Sequence, residues 1–441
     1  MIRRVHIKGY KSLQDVEIKL QPLTVLVGPN AAGKSNFLDA LQLLSRTANP
    51  NRRLKAAFES PYRGNPLESF SFGPKGIEGL LEKGEASFSI EVDVELSDDV
   101  VAAVNQQIRD MRRTNSSNGS GQDTGSGRSI EVKERFLRYR LEIEILPKEG
   151  FLRVSDEYLA ALRSNGELTR KRKPFLEREG NHLRLRLEGQ GHPRHLDLFL
   201  DYSILSTPLY APHYPHLVAM QQELARWFFY YFEPRERMRA PNPVKEVRHI
   251  GLMGEELASF LNTLRAKEPR QFKAVEKALK EVIPSITGIH VEVDRLGQVE
   301  LRLLEGDVPI PSRLVSEGTL RVLGLLALSG VQEAPSLLGF EEPENGIAPD
   351  RIELIARYLQ TQAMVGKTQL IVTTHSPLLG DLMPHESLYV CKKEEGRTRI
   401  RPLANSGTDL GPLSRRMEVS KALKDPNMSV SERMVYGDLD A

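Results

Sequence analysis

The sequence predicts an α/β fold whose halves are split along the chain, with an antiparallel β insertion and a helical lid between them. Three observations carry this. Near the start, a short apolar run (Leu23 to Val27) leads into "GPNAAGKSN" and then into a segment with helical apolar spacing. Beyond residue 310, apolar strands again alternate with helices, the pattern of an α/β layer. Between them lie alternating strands and then helical spacing.

The first element fits G-x-x-x-x-G-K-[ST], the phosphate-cradling loop of P-loop NTPases. Gly28 and Gly33 allow a tight turn with backbone N–H groups facing inward. Lys34 is placed to reach the β- and γ-phosphates and the Ser35 hydroxyl to coordinate Mg2+. "LTVLV" reads as a buried parallel strand, and Phe37, Leu38, Leu41 and Leu44 give the following segment a helical face. "RRVHIKGY" and "LQDVEIKL" alternate, and two half-exposed strands flanking the loop strand are expected there.

Residues 45–80 read as loop-rich, and "ASFSIEVDVEL" (86–96) as a strand. The run "TNSSNGSGQDTGSGRS" (114–129) has nothing apolar to bury, so a flexible insertion is expected over about 110–130. "RFLRYRLEIEIL", "GFLRVSDEYL" and "NHLRLRLEG" resume the alternation and suggest an antiparallel sheet. Residues 163–186 carry eight Lys/Arg against three Asp/Glu. Their "RKRKP" (170–174) reads as a solvated loop or strand edge, or as a contact to a nucleic-acid backbone. "WFFYYF" (227–232) reads as a buried strand or helix end, the alternative being a base-stacking platform. Helical spacing dominates residues 215–283, and 287–305 read as a hairpin turning at Leu296-Gly297.

In "SLLGFEEPENGIAP" (336–349), "LLGF" reads as a strand beside the loop strand. Glu341 at its end would hold Mg2+, and Glu342 would act as general base toward the attacking water. "QLIVTTHSP" (369–377) repeats the design, with His375 placed to donate to the γ-phosphate. In "RLVSEGTLRVLGLLALSG" (313–330), Ser316 reads as a helix N-cap and Gly318 as a bare position, together an anion site.

The order "GPNAAGKSN", "VSEGTLR", "LLGFEEPENGI", "TTHSP" resembles the ABC-type ATPase heads of the SMC/RecF class, and most of all stand-alone AAA-family ATPases similar to the ATPase part of OLD-family nucleases. The resemblance implies an ABC-type head with ATP and Mg2+. It matches Gly28, Pro29, Asn30, Ala31, Ala32, Gly33, Lys34, Ser35 and Asn36 to the Walker A loop. It matches Ser316, Glu317, Gly318 and Thr319 to the signature motif, which in this class binds the γ-phosphate held by a second subunit. Glu341 and Glu342 match the metal carboxylate and the catalytic glutamate, His375 the switch histidine, and Lys11 and Ser12 a pair that touches nucleotide. Two departures stand out: residues 43–105 contain no Gln to touch the metal, and Ala348 occupies a position that usually carries His or Asp.

The resemblance implies a head of residues 1–205 and 290–441 with a lid of 206–289, ATP-dependent dimerisation, and a separately encoded nuclease or toxin as effector, in a bacterial defence setting. The alternative is a DNA-binding clamp in repair or recombination. Bulk properties fit a cytoplasmic protein of two or more domains: 441 residues, 40% apolar and 27% charged. A net charge of +2 does not argue for nucleic acid, and the single Cys391 excludes an intrachain disulfide. No run of 18 apolar residues predicts a membrane span, and "MIRRVHIKGYKS" lacks the apolar core of a signal peptide.

Overall fold

The computed structural model describes residues 1–60, 62–117, 131–169, 172–188, 192–330, 334–365 and 367–403. Two compact units emerge. The first comprises Met1–Gln21, Ala31–Trp227 and Lys392–Ile400; the second comprises Pro22–Asn30, Phe228–Cys391 and the chain from Arg401. The glycine loop is therefore where the chain passes from the second unit to the first.

The chain opens with β1 (Ile2–Tyr10) and β2 (Leu13–Lys19), then β3 (Leu23–Val27) and α1 (Lys34–Thr47). Short helices α2 (Leu54–Ala57) and α3 (Gly76–Leu81) precede β4 (Ala86–Glu95), α4 (Asp98–Ser117), β5 (Phe136–Leu146) and β6 (Phe151–Ala161). β7 (Leu176–Glu179), β8 (His182–Leu185), β9 (Arg194–Asp197) and α5 (Pro215–Ala225) follow. Strand order β2-β1-β4-β5-β6-β7-β8-β9 makes one antiparallel eight-stranded sheet in the first unit. Its strands alternate as their sequence does: β1 buries Ile2, Val5, Ile7 and Tyr10 and turns the residues between them outward. α1 packs on β1 and β4. α4 runs four residues into the Gly/Ser-rich segment; the rest of that segment, 118–130, lies outside the described residues.

The second half of the chain contributes β10 (Trp227–Tyr230), β11 (Asn242–Pro243), α6 (Leu257–Lys267), α7 (Pro269–Val282), β12 (Ile286–Val293), β13 (Gln298–Glu305) and β14 (Val308–Pro311). Then come α8 (Glu317–Ala327), β15 (Leu337–Glu341), α9 (Pro349–Val365), β16 (Gln369–Thr374), α10 (Pro377–Asp381), β17 (Leu388–Glu394) and β18 (Arg397–Pro402). In the second unit β15, β16, β3 and β17 pair parallel in that order, with β10 on the outer side of β15. β12 and β13 form the expected hairpin, closed at Asp294–Gly297. Leu261, Leu279, Leu301, Leu320, Leu323 and Phe340 are among the residues of one continuous core beneath these elements.

Two strand neighbours differ from the sequence expectation. β1 and β2 do not flank β3; they pair with each other and lie in the antiparallel sheet. All five residues of β3 are buried, the pattern of a strand covered on both faces, whereas β1 and β2 expose one face and suit a sheet covered on one side only. β15 is not beside β3 either: β16, buried at all six positions, takes the central place between them. Among the described residues no helix is long and apolar enough to cross a membrane.

The first unit encloses a carboxyl group, Glu157 on β6, with no exposure to solvent. It accepts hydrogen bonds from the Tyr139 hydroxyl (2.9 Å), the Ser203 hydroxyl (2.8 Å) and the Ile204 N–H (2.7 Å). Burial raises its carboxyl above the ordinary value, against the opposing pull of the Ile204 and Ser203 bonds. The folded chain thus holds this proton more tightly than the unfolded chain, so stability falls as pH rises above the ordinary carboxylate value toward the raised one. Glu157→Gln keeps an acceptor oxygen and cannot ionise. Thermal unfolding followed from pH 5 upward should show the variant gaining on the wild type as pH rises; parallel curves would refute the assignment.

Candidate nucleotide-binding site

Parallel register sets the positions of the candidate groups in the second unit. Val27 at the end of β3 pairs with Thr374 of β16 and with Val390 of β17, and Glu341 at the end of β15 pairs with Thr373. The start of the glycine loop, both carboxylates and His375 therefore leave the sheet at one carboxyl edge, where open α/β sheets bind ligands.

The loop continues in the first unit. Ala31 and Gly33 adopt positive φ, 64° and 99°. A Cβ on Gly33 would lie 2.0 Å from Thr398 Oγ1, so conformation and space both require glycine. Gly33 caps α1 without a side-chain acceptor, and the first turn holds no acidic residue. Such an end favours an anion. Lys34 is 5% exposed at the same end. This turn, a buried lysine and a hard hydroxyl donor in Ser35 fit a nucleotide triphosphate with Mg2+.

Behind the loop, Thr398 of β18 donates its hydroxyl to the Ala32 carbonyl at 2.8 Å. Its single proton being used, Thr398 accepts from the Ser12 hydroxyl at 2.7 Å, and Ser12 accepts from Asn36 Nδ2 at 2.7 Å. The relay Asn36 to Ser12 to Thr398 to Ala32 therefore has one direction only. The structure brings Ser12 and Asn36 together; Thr398 escapes a reading of the sequence, since its partner on the loop is 366 positions away and no local signal marks it. Lys11 (φ 47°) places Nζ 2.9 Å from Asp39 Oδ2 on α1 and within 5.5 Å of the Tyr10 and Tyr62 ring centres.

On the carboxylate side, Glu342 adopts φ 46° and donates its N–H to the Thr373 carbonyl at 2.9 Å. His375 Nδ1 lies 2.9 Å from Glu342 Oε1, and Asn345 Nδ2 donates to Oε2 at 2.6 Å. The carboxylate is thus held on both oxygens, and the imidazole is oriented through its Nδ1. Two groups the sequence did not single out lie nearby: Glu344, buried in the same turn, and Arg321 on α8, whose surrounding charges include Glu317, Glu233, Glu342 and Glu344. Burial lowers the Arg321 guanidinium from its usual value, against the pull of these carboxylates.

Ser316 caps α8: its Oγ accepts the Thr319 N–H at 3.2 Å and lies 2.8 Å from Thr319 Oγ1, both side chains at the surface. Gly318 has a second reason to be glycine. A Cβ there would lie 2.0 Å from the Gly346 carbonyl oxygen, so the start of α8 rests backbone-to-backbone on the turn that follows Glu342. Arg235 Nε pairs with Glu317 at 2.6 Å, and Arg239 Nη2 donates to the Val315 carbonyl at 2.7 Å, bracing the same loop.

The other two sequence features fall elsewhere. Trp227, Phe229 and Tyr230 of β10 are buried, so these rings form core and no stacking platform. In the basic cluster, Arg172 pairs with Glu188 and lies 3.5 Å from Glu134, which takes up its charge. Arg170 and Lys171 lie outside the described residues.

Thr398→Val keeps the side chain's shape and removes the hydroxyl that joins Ser12 to Ala32. Nucleotide affinity, read by titration with a fluorescent ATP analogue, should fall about tenfold, the cost of unmaking one buried hydrogen-bond relay. Unchanged affinity would show that the relay does not shape the loop.

Comparison with known proteins bears on the family and the fold. The family model for the "AAA domain, putative AbiEii toxin, Type IV TA system" matches residues 23–381. Over 53 residues the chain is 40% identical to the OLD nuclease of Thermus scotoductus (strain ATCC 700910 / SA-01), a stretch covering 12% of this chain and 10% of that protein. The chain thus matches about a tenth of that relative's length. Among solved structures, an Smc head bound to the C-terminal winged-helix domain of ScpA superposes with a TM-score of 0.52 at 13% identity, over 90% of this chain and 96% of that one. An Smc head with an extended coiled coil from Pyrococcus furiosus gives 0.48 at 12% identity, over 96% and 99%. The first of these likenesses is one of fold: a mixed α/β Smc-type head with an antiparallel sheet. The chain belongs to this AAA-domain family, and its fold is that of an Smc-type head.

Proposed function

We propose that the chain is a cytoplasmic, Mg2+-dependent ATP hydrolase whose turnover depends on two heads closing around ATP. The observation that carries the chemistry is the Glu342–His375 pair, 2.9 Å apart at the carboxyl edge of the parallel sheet. Lys34 and the N–H groups of residues 30–36 bind the phosphates of ATP. Mg2+, for which Ser35 and Glu341 are the candidate ligands by sequence, would neutralise charge on the phosphates. Glu342 accepts the proton of the attacking water, and His375, oriented through Nδ1, donates to the γ-phosphate. Glu342→Gln keeps size and hydrogen bonding but removes the base. Steady-state hydrolysis should drop at least about 100-fold while ATP binding persists. Turnover near the wild-type rate would place the base elsewhere.

The second anion site, at Ser316, Gly318 and Thr319, takes the γ-phosphate of ATP held by another copy of the chain, in a two-fold dimer. The exposed Ser316 cap and the Smc-like fold support this arrangement. Lys34→Ala and Ser316→Arg should each be inactive alone, and their mixture should recover part of the activity through heterodimers with one intact composite site. A mixture that stays inactive at all ratios, with folded and exchanging subunits, refutes the shared site. The closed and open states serve as a signal to a separately encoded effector, a nuclease or toxin, in a defence system. The family's description as a putative toxin of a Type IV system supports that setting.

A further inference from the structure

Glu344 is a costly residue for its position. It is 5% exposed, and its Oε2 is buried with no hydrogen-bond partner. Burial holds its carboxyl above the ordinary value, against the pull of the Thr374 bond. An apolar side chain of similar volume would avoid leaving a carboxyl oxygen unsatisfied. A group of this kind in a native fold calls for a reason beyond packing.

The reason lies in what Oε1 holds. The Thr374 hydroxyl donates to Glu344 Oε1. With its proton so committed, Thr374 Oγ1 accepts the Ser376 N–H at 2.9 Å. Thr374 and Ser376 are the two neighbours of His375, so a single carboxylate fixes the backbone on both sides of that histidine. At its own end Glu344 sits in the turn of Glu342. Asn345 N–H donates to the Glu342 carbonyl at 3.1 Å and Ile347 N–H to the Glu344 carbonyl at 3.0 Å. The turn needs such bracing, because Glu342 occupies the left-handed region at φ 46°, a conformation that costs a non-glycine residue energy.

We infer that Glu344 is a positioning residue for hydrolysis: through Thr374 it ties the turn that carries Glu342 to the strand end that carries His375 and keeps that pair in register. In this reading Glu344 acts through Glu342 and His375 and not on the substrate itself. The inference rests on the reading of Glu342 as the base.

The experiment measures kcat, nucleotide Kd and melting temperature for Glu344→Ala, Glu344→Gln, Thr374→Val, Glu342→Gln and the double variant Glu342→Gln/Glu344→Ala. Loss of register should lower kcat about tenfold or more for Glu344→Ala and Thr374→Val while Kd stays within about twofold. Glu344→Gln, which keeps the acceptor for Thr374, should recover turnover to within about threefold of wild type. The loss in the double variant should be smaller than the product of the two single losses, because with the base gone only His375 is left for Glu344 to position. Wild-type turnover in folded Glu344→Ala or Thr374→Val overturns the inference, as does a loss that multiplies that of Glu342→Gln. A parallel loss of kcat and nucleotide binding also overturns it. Should Glu344→Ala fail to fold, Thr374→Val alone decides by the same criteria. Glu342→Gln turning over normally overturns instead the reading of the base and with it this inference. Glu342→Gln inactive beside a fully active Thr374→Val overturns the inference alone.

Discussion

The arrangement of β15, β16 and β3 depends on one constraint: strands covered on both faces have no room for charged side chains, so they can carry charged groups only at their ends. β3 and β16 are buried at every position, and β15 at all but its last residue, Glu341. Parallel pairing then delivers all the carboxyl-terminal ends to a single edge. Glu341, Glu342, His375 and the start of the glycine loop are neighbours in consequence of register, although they are scattered along the chain. The same constraint bears on the last residue of β16. Thr374 is wholly buried and finds its partners in Glu344 and Ser376.

Close backbone contact supplies the second organising element. Where Gly318 meets the Gly346 carbonyl, no side chain separates the start of α8 from the turn after Glu342. A side chain could accommodate movement by changing rotamer; two backbones in contact cannot. The serine-capped helix end and the turn after Glu342 therefore form one piece of the second unit. Arg235 and Arg239 extend it by holding Glu317 and the Val315 carbonyl.

Much of this was legible in the sequence because it is local. The glycine loop, the Ser316 cap, the β12–β13 hairpin and the strands ending in Glu341 and Thr374 each announce themselves within about ten residues, by turn chemistry and apolar period. What escaped was pairing across distance. Period-2 alternation says that β1 and β2 are half-covered strands and does not say which sheet they join, so they were wrongly set beside β3. Two apolar strands of nearly equal character, β15 and β16, gave no indication of which lies next to β3. Thr398 and Glu344 were invisible for the related reason that their roles reside in partners: an isolated Thr in an alternating strand and one more Glu in an acidic turn look ordinary until the chain has closed.

The relay behind the glycine loop also sets a schedule for folding. Ser12, Ala32 and Asn36 emerge early in synthesis, and Asn36 bonds Ser12 directly, but the hydroxyl that joins this pair to the Ala32 carbonyl belongs to residue 398. At roughly 5–20 residues per second, the loop spends on the order of 20–70 seconds on the ribosome before its clamp exists. During that interval the glycines that later permit the tight turn leave it without a fixed shape. Completion of the loop thus reports that nearly all of the described chain has been made, and a product cut short before β18 would carry the motif without the means to hold it.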